Sequence, residues 1–215
     1  MHYLRLSSFL LFVLVLTNCR VPYKNLQEDR AVTTSALRFQ PQFDKVLYRC
    51  VVDGRVLFKK FHLSGLLFFK TMDDSSTRAV FQNEMGFTFF DFEWSPEDSF
   101  TVNQIIPQLD KPALVRTLQK DMNFFLMKNL DTSSEKVFRK GNETLHSFDL
   151  VEGKVYYIAN GQQLKRIENT GKSKVLTVTM EGKTASEDMP QTAFFNHHKA
   201  NFTIQLTKLD TNADE

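Results

Sequence analysis

The residues that could do chemistry are few and scattered. Asp91 and Glu93 sit two apart in TFFDFEW, so in an extended strand their carboxyls share a face, as a general acid and base would. The sequence places no partner base beside them. The alternative is that both point to solvent near a strand end while Phe90, Phe92 and Trp94 point inward. His197 and His198 follow Asn196, but adjacent strand residues point opposite ways and cannot easily share a metal ion. A turn between strands suits them better. His62 and His146 are isolated and read as surface histidines or as histidines satisfied within the fold. A Gly-rich phosphate loop, a nucleophile elbow and a cysteine pair at metal spacing are missing from the sequence. The expectation is a protein without catalytic residues, metal or cofactor.

The cysteines point elsewhere. His2 and Arg5 precede an apolar run from Leu6 to Leu16 that is too short to cross a membrane and has the layout of a secretory signal, residues 1–18. The bland alternative is a buried helix of a cytosolic domain. Leu16-Thr17-Asn18-Cys19 resembles the lipobox of bacterial lipoproteins, in which the cysteine is diacylated and becomes the first mature residue; Asn18 stands where Gly, Ala or Ser is usual. The resemblance makes Cys19 a lipid anchor. Residues 19–42, polar and carrying Pro22 and Pro41, then read as a tether with one weak helical stretch around Leu26 to Leu37. Cys50 is left as a lone thiol in an apolar strand, where cysteine behaves as a small buried hydrophobe. The alternative, a Cys19–Cys50 disulfide in an ordinary secreted protein, would tie that strand to the polar tether.

Composition bounds the rest. The 215 residues carry 27 basic and 25 acidic side chains, with no basic block dense enough to follow a nucleic-acid backbone. Twenty-one phenylalanines, only Phe9 and Phe12 of them in the signal, stand against one tryptophan. That much aromatic area implies a large apolar interior in a single domain, 43–209, followed by a loose tail, 210–215.

The elements follow from pattern. Phe43 to Val52 predicts a strand, and Asp53-Gly54 predicts a two-residue turn that sets Val52 opposite Arg55 and Cys50 opposite Leu57. Val46, Tyr48 and Cys50 then share a face with Leu57, Phe61, Leu63, Leu67 and Phe69. Gly65 reads as a bend or bulge. Met85 to Trp94 is apolar on both parities, so it should be covered on both sides by a sheet that curls and by something outside it. Asp110, as N-cap, opens a helix over 110–129 whose Leu114, Leu118, Met122 and Phe125 recur at helical spacing. Turns at Glu152-Gly153, Asn160-Gly161 and Thr170-Gly171-Lys172 then organise strands on to Leu209, with Phe148, Leu150, Val155, Tyr157 and Leu164 on one face. The fold class is mostly β with one helix, an α+β arrangement in which a curled antiparallel sheet or half-open barrel is capped by the helix.

This layout over 43–209 resembles the LolA and LolB lipoprotein carriers of the bacterial envelope, incomplete antiparallel barrels whose helices plug a cavity for acyl chains. Phe61-His62-Leu63-Ser64-Gly65 is similar to the early strand of the anchored outer-membrane member, LolB. Met189-Pro190 ahead of Phe194-Phe195 and Phe202 to Leu206 is similar to its closing Leu-Pro element and last strand. In the family an exposed loop bears a leucine; the loop after Thr71 offers Met72. The resemblance implies a lipid-anchored protein that binds an acyl chain or a lipidated protein. Arg20 after the cysteine, rather than the Asp of inner-membrane retention, implies the outer membrane, facing the periplasm. Val46, Tyr48, Leu57, Phe61, Leu63, Leu67 and Phe69, with Leu118, Met122 and Phe125 of the helix, are the candidate cavity wall. The alternative is a structural or adaptor lipoprotein of an envelope complex with a filled core and a protein partner.

Overall fold

The computed structural model describes residues 22–23, 25–56 and 59–210. The expected signal, the expected anchor Cys19, the wall candidate Leu57 and nearly all of the expected tail lie outside them. Among the described residues, twelve strands form one antiparallel sheet: β1 (Lys45–Val56), β2 (Lys59–Thr71), β3 (Thr77–Gln82), β4 (Thr88–Trp94), β5 (Phe100–Ile105), β6 (Lys136–Lys140), β7 (Glu143–Asp149), β8 (Lys154–Asn160), β9 (Gln163–Thr170), β10 (Lys174–Glu181), β11 (Thr192–His197) and β12 (Phe202–Lys208). One helix, α1 (Pro112–Phe125), lies between β5 and β6. The spatial order is β5-β4-β3-β2-β1-β12-β11-β10-β9-β8-β7-β6. The first and last strands therefore meet in the middle, and α1 connects the two free edges.

The sheet must curl. Trp94 Nε1 on β4 donates to Asn123 Oδ1 of the helix at 2.7 Å, while the Tyr157 hydroxyl on β8 donates to the neighbouring Phe124 carbonyl at 3.0 Å. In a flat sheet β4 and β8 would lie about 38 Å apart, eight strand spacings. Two successive residues of one helix can reach both only if the sheet wraps around it. The half-open barrel with a helix in its hollow, expected from sequence, is what forms.

The β1–β2 turn differs from expectation. Asp53 and Gly54 lie within β1, whose pairing with β2 runs on to Val56 opposite Lys59. Val52 faces Leu63 rather than Arg55, and Cys50 faces Gly65 rather than Leu57. Gly54 serves a different need from a turn: a Cβ there would overlap the Phe61 ring lying across it. Every partner moves eight residues along, an even step, so the shared face of Val46, Tyr48, Cys50, Leu63, Leu67 and Phe69 survives. Gly65 is likewise a point of close approach, since a Cβ would strike the Gln82 backbone.

The doubly apolar strand β4 is resolved mainly by a bulge. Phe81 pairs with Phe90 and Gln82 with Thr88, leaving Phe89 extra. The bulge lets both Phe89 and Phe90 bury against Phe81, with ring centroids 4.8 and 5.7 Å away. In the second half, two-residue turns at Glu152-Gly153 and Asn160-Gly161 predict Phe148 opposite Tyr157 and Tyr157 opposite Leu164; instead Phe148 pairs with Val155 and Tyr157 with Ile167. The named face still enters the core.

Two further expectations change. The helix starts at Pro112 with Lys111 as its N-cap; Asp110 does not cap it, and regular helix ends at Phe125. The stretch read as a tether packs closely over its C-terminal part. Ala36 and Phe39 of a short 3-10 turn are fully buried in the main core. Glu28 bridges to Phe138 on edge strand β6, and the Tyr23 ring lies 4.7 Å from Tyr156 on the outer face. Scattered apolar residues in a polar stretch give no periodic signal, so this docking escaped the pattern.

Candidate functional site

Helix α1 is fastened at one end. Beyond the Trp94 and Tyr157 bonds, Phe125 packs between Tyr48, Phe69 and Phe195 with centroids 5.5 to 6.2 Å apart. Asp98, in the β4–β5 turn, holds Lys128 Nζ and the Asn129 backbone N–H, both at 2.9 Å. Among the described residues, polar side-chain contacts from helix to sheet begin only at Asp121. The N-terminal half rests on side-chain packing alone.

Beneath that half lies a slot with about 50 Å³ of free space. Its wall is entirely apolar: Cys50 and Val52 of β1, Phe61, Leu63 and Leu67 of β2, Phe81 and Phe90, Phe202 and Ile204 of β12, and Leu109, Leu114, Leu118 and Met122. Val52, Phe61, Leu63, Leu114 and Phe202 are only half-buried, so the slot nears the surface at the end where α1 begins. Of the ten wall candidates, Phe61, Leu63, Leu67, Leu118 and Met122 line it. Val46, Tyr48, Phe69 and Phe125 instead belong to the closely packed core, the last three stacked under the fastened end of the helix. Cys50, which the sequence already places on this face, lines the slot as well; Phe202 and Ile204 were missed because only the long-range β1–β12 pairing brings β12 alongside. Burial pushes the Cys50 thiol up to about 12, so it is an inert apolar group here.

The sequence also missed a buried polar pair. His197 is the last residue of β11, not part of a turn. Its Nε2 lies 2.8 Å from Asp121 Oδ2 in mid-helix, its Nδ1 lies 3.1 Å from the Phe202 carbonyl, and its ring stacks on Phe202 at 3.9 Å. A carbonyl only accepts, so Nδ1 carries a proton, and Nε2 and the carboxyl share one more. Burial raises the Asp121 carboxyl above its usual range, opposed by His197 and Lys120. Strand β11 and α1 contribute these residues from positions 76 apart, beyond any local pattern.

The other candidates are occupied. Asp91 is buried, not solvent-facing, and is held bidentately by Arg78 at 2.8 and 2.5 Å, while Glu93 accepts from Asn103 at 2.8 Å. His62 pairs with Asp53 at 2.8 Å on the surface. His146 is fully buried, with Nδ1 2.9 Å from Glu135 and Nε2 without a partner among the described residues; burial lowers its pKa. Glu135 also accepts from the Ala36 N–H, which ties the N-terminal segment to the sheet. Among the described residues no group of His, Cys, Asp and Glu could hold a metal ion.

No protein-family model matches the sequence, and no curated protein matches it. The structure is similar to that of a LolA superfamily protein from Nitrosomonas europaea, with TM-score 0.50 and 11% identity over 80% of this chain and 88% of that one. The chain has a LolA-like fold. A lipoprotein-sorting domain from Vibrio parahaemolyticus aligns with TM-score 0.45 and 7% identity over 82% of this chain and 89% of that one. A DUF1329 family protein from Desulfovibrio piger aligns with TM-score 0.40 and 8% identity over 78% and 84%.

Two details of the LolA-like frame bear on the site. Met189 is fully buried and the Pro190 carbonyl accepts from the buried Tyr48 hydroxyl at 2.6 Å, so this element closes the packed end. Met72, in the loop after Thr71, is half-buried. One turn later, in the β3–β4 connection, Met85 is 89% and Phe87 56% exposed. The pairing pattern puts this turn at the same end as the slot's mouth and the start of α1.

Proposed function

We propose that this chain is a lipid-anchored carrier or acceptor of the bacterial envelope, taking an acyl chain or the acyl group of a lipidated protein between α1 and the curled sheet. The observation that carries this reading is the asymmetry of the helix: bonded and closely packed at its C-terminal end, held only by side-chain packing over an apolar slot at its other end. An acyl chain needs more room than about 50 Å³, since ligand pockets run to several hundred. Entry therefore requires the N-terminal half of α1 to lift while its far end stays in place. Each methylene moved from water into the slot would contribute about 0.8 kcal/mol. Cys19 would supply the anchor and the outer membrane the location.

The same small volume favours a second reading, a filled-core adaptor lipoprotein that docks a protein partner through the exposed Met85 and Phe87. Native mass spectrometry of the full chain, gently extracted from a bacterial envelope, separates the two. A co-purifying lipid mass supports the carrier; a clean apo mass with a stoichiometric protein partner supports the adaptor.

A further inference from the structure

Every neighbouring pair of strands is antiparallel, so the connections of the sheet sort into two ends. The β1–β2, β3–β4, β7–β8, β9–β10 and β11–β12 connections turn back at the end where α1 begins and the slot nears the surface. The two ends differ in charge. Six adjacent strands, β2-β1-β12-β11-β10-β9, carry a basic arc at the slot end. Its members are Arg55 and Lys60, each one residue inside its strand end, with Lys199 in the β11–β12 turn and Lys172 in the β9–β10 turn, all exposed. None of the four forms an ion pair among the described residues. The acids of the arc are engaged: Asp53 by His62 at 2.8 Å, and buried Glu168 by Arg166 and Lys174 at 2.8 and 2.7 Å. Glu84, Asp110 and Glu152 stand on the connections beyond the arc. At the opposite end the turns between strands carry exposed Asp73, Asp74, Glu97, Glu187 and Asp188, and their one basic residue, Lys183, is buried. Exposed apolar side chains flank the arc on both sides: Met85 and Phe87 in the β3–β4 connection, and fully exposed Val151 in the β7–β8 turn.

We propose that the slot end docks on an anionic lipid surface, with the basic arc against the headgroup phosphates and the flanking apolar side chains entering the interface. Clustered cations are drawn to the negative potential of such a surface, and apolar side chains beside them bury among the headgroups. The acidic turns then point away from the bilayer. Arg55 and Lys60 lie directly opposite each other across β1 and β2. Like charges so placed destabilise each other, and the lipid phosphates offset that repulsion. The proposal rests on the carrier reading for its purpose, since it sets the slot's mouth against the layer that gives or takes acyl chains. Its charge argument stands on the rim alone.

The test is co-sedimentation of the full chain with vesicles of phosphatidylcholine, alone or mixed with phosphatidylglycerol. Cys19→Ala is present throughout, so that no acyl anchor contributes. Binding should be about tenfold or more tighter to the mixed vesicles, a preference that shrinks at high salt. Each cation beside the surface is worth about fivefold, so R55Q/K60Q/K172Q/K199Q should lose about tenfold or more on the mixed vesicles. The four side chains are exposed and outside every ion pair of the described residues, so the variant keeps the fold. The control K45Q/K70Q/K165Q/K208Q removes the same charge from strands near the opposite end and should bind within about twofold of the parent. Equal binding to both kinds of vesicle, or equal loss in the two quadruple variants, overturns the docking surface. The slot reading would still stand, because no acyl ligand enters this assay. A chain that docks as described yet never carries lipid in native mass spectrometry overturns the carrier and leaves the surface in place.

Discussion

Replacing His197 by alanine strands a carboxyl. Asp121 and His197 are each 3% exposed at the side chain, and removing one partner of a buried pair costs about 3–5 kcal/mol because the other is left uncompensated. Loss of the stacking on Phe202 adds about 0.5–1.5 kcal/mol. For a chain of this length the sum corresponds to a Tm lower by roughly 10 °C or more. The pH dependence distinguishes a stranded carboxyl from a simple cavity. Burial already holds the Asp121 pKa above its ordinary value, and His197 is among the groups that oppose this. Without the ring, the folded state holds a proton that the unfolded state has released. The associated stability is present below the unfolded carboxylate pKa and is lost as pH rises through the raised folded value. The deficit of H197A against wild type, measured by urea unfolding, should therefore be largest above neutrality and shrink at pH 5. A double-mutant cycle with D121A should return a coupling of about 2–3 kcal/mol. A deficit independent of pH, together with a coupling near zero, would refute the shared-proton pair.

Other outcomes follow from the same geometry. Leu118→Phe adds a few carbon atoms to a side chain facing free space of about 50 Å³. Its urea midpoint should stay within about 1 kcal/mol of wild type while dodecanol binding weakens markedly; unchanged binding would remove the slot from the account. Gly65→Ala drives a Cβ into the Gln82 carbonyl and should destabilise by about 1–3 kcal/mol, read from the same unfolding curves. Lys183 is buried, with its ammonium on the Glu187 and Asp188 carbonyls, and burial lowers its pKa to about 8. Between pH 8 and the ordinary lysine value the unfolded state binds more protons, so wild-type stability should rise with pH relative to K183M. Parallel pH profiles for the two would contradict that assignment.

Much of the fold was legible because alternation decides faces even when turns mislead. Asp53-Gly54 looked like a turn, yet the true pairing differed by an even step and kept Val46, Tyr48, Leu63, Leu67 and Phe69 together. The helix was legible from Leu114, Leu118, Met122 and Phe125, and its place in the hollow followed from a sheet apolar enough to need covering. What stayed hidden depends on contacts distant in sequence. The Asp121–His197 pair joins residues 76 positions apart. The N-terminal segment docks through Ala36, Phe39 and Glu28 without any periodicity. The division of one apolar face into a packed end at Phe125 and an open end at Leu118 is a matter of volume, and composition carries no volumes.

The most direct test is photo-crosslinking of the full chain with a long-chain fatty acid bearing a diazirine near its methyl end, mapped by peptide mass spectrometry. An acyl chain between α1 and the sheet places the labels on Leu63, Leu67, Leu118, Met122 and Ile204. Labels confined to Met85 and Phe87, or no saturable labelling at all, would contradict it.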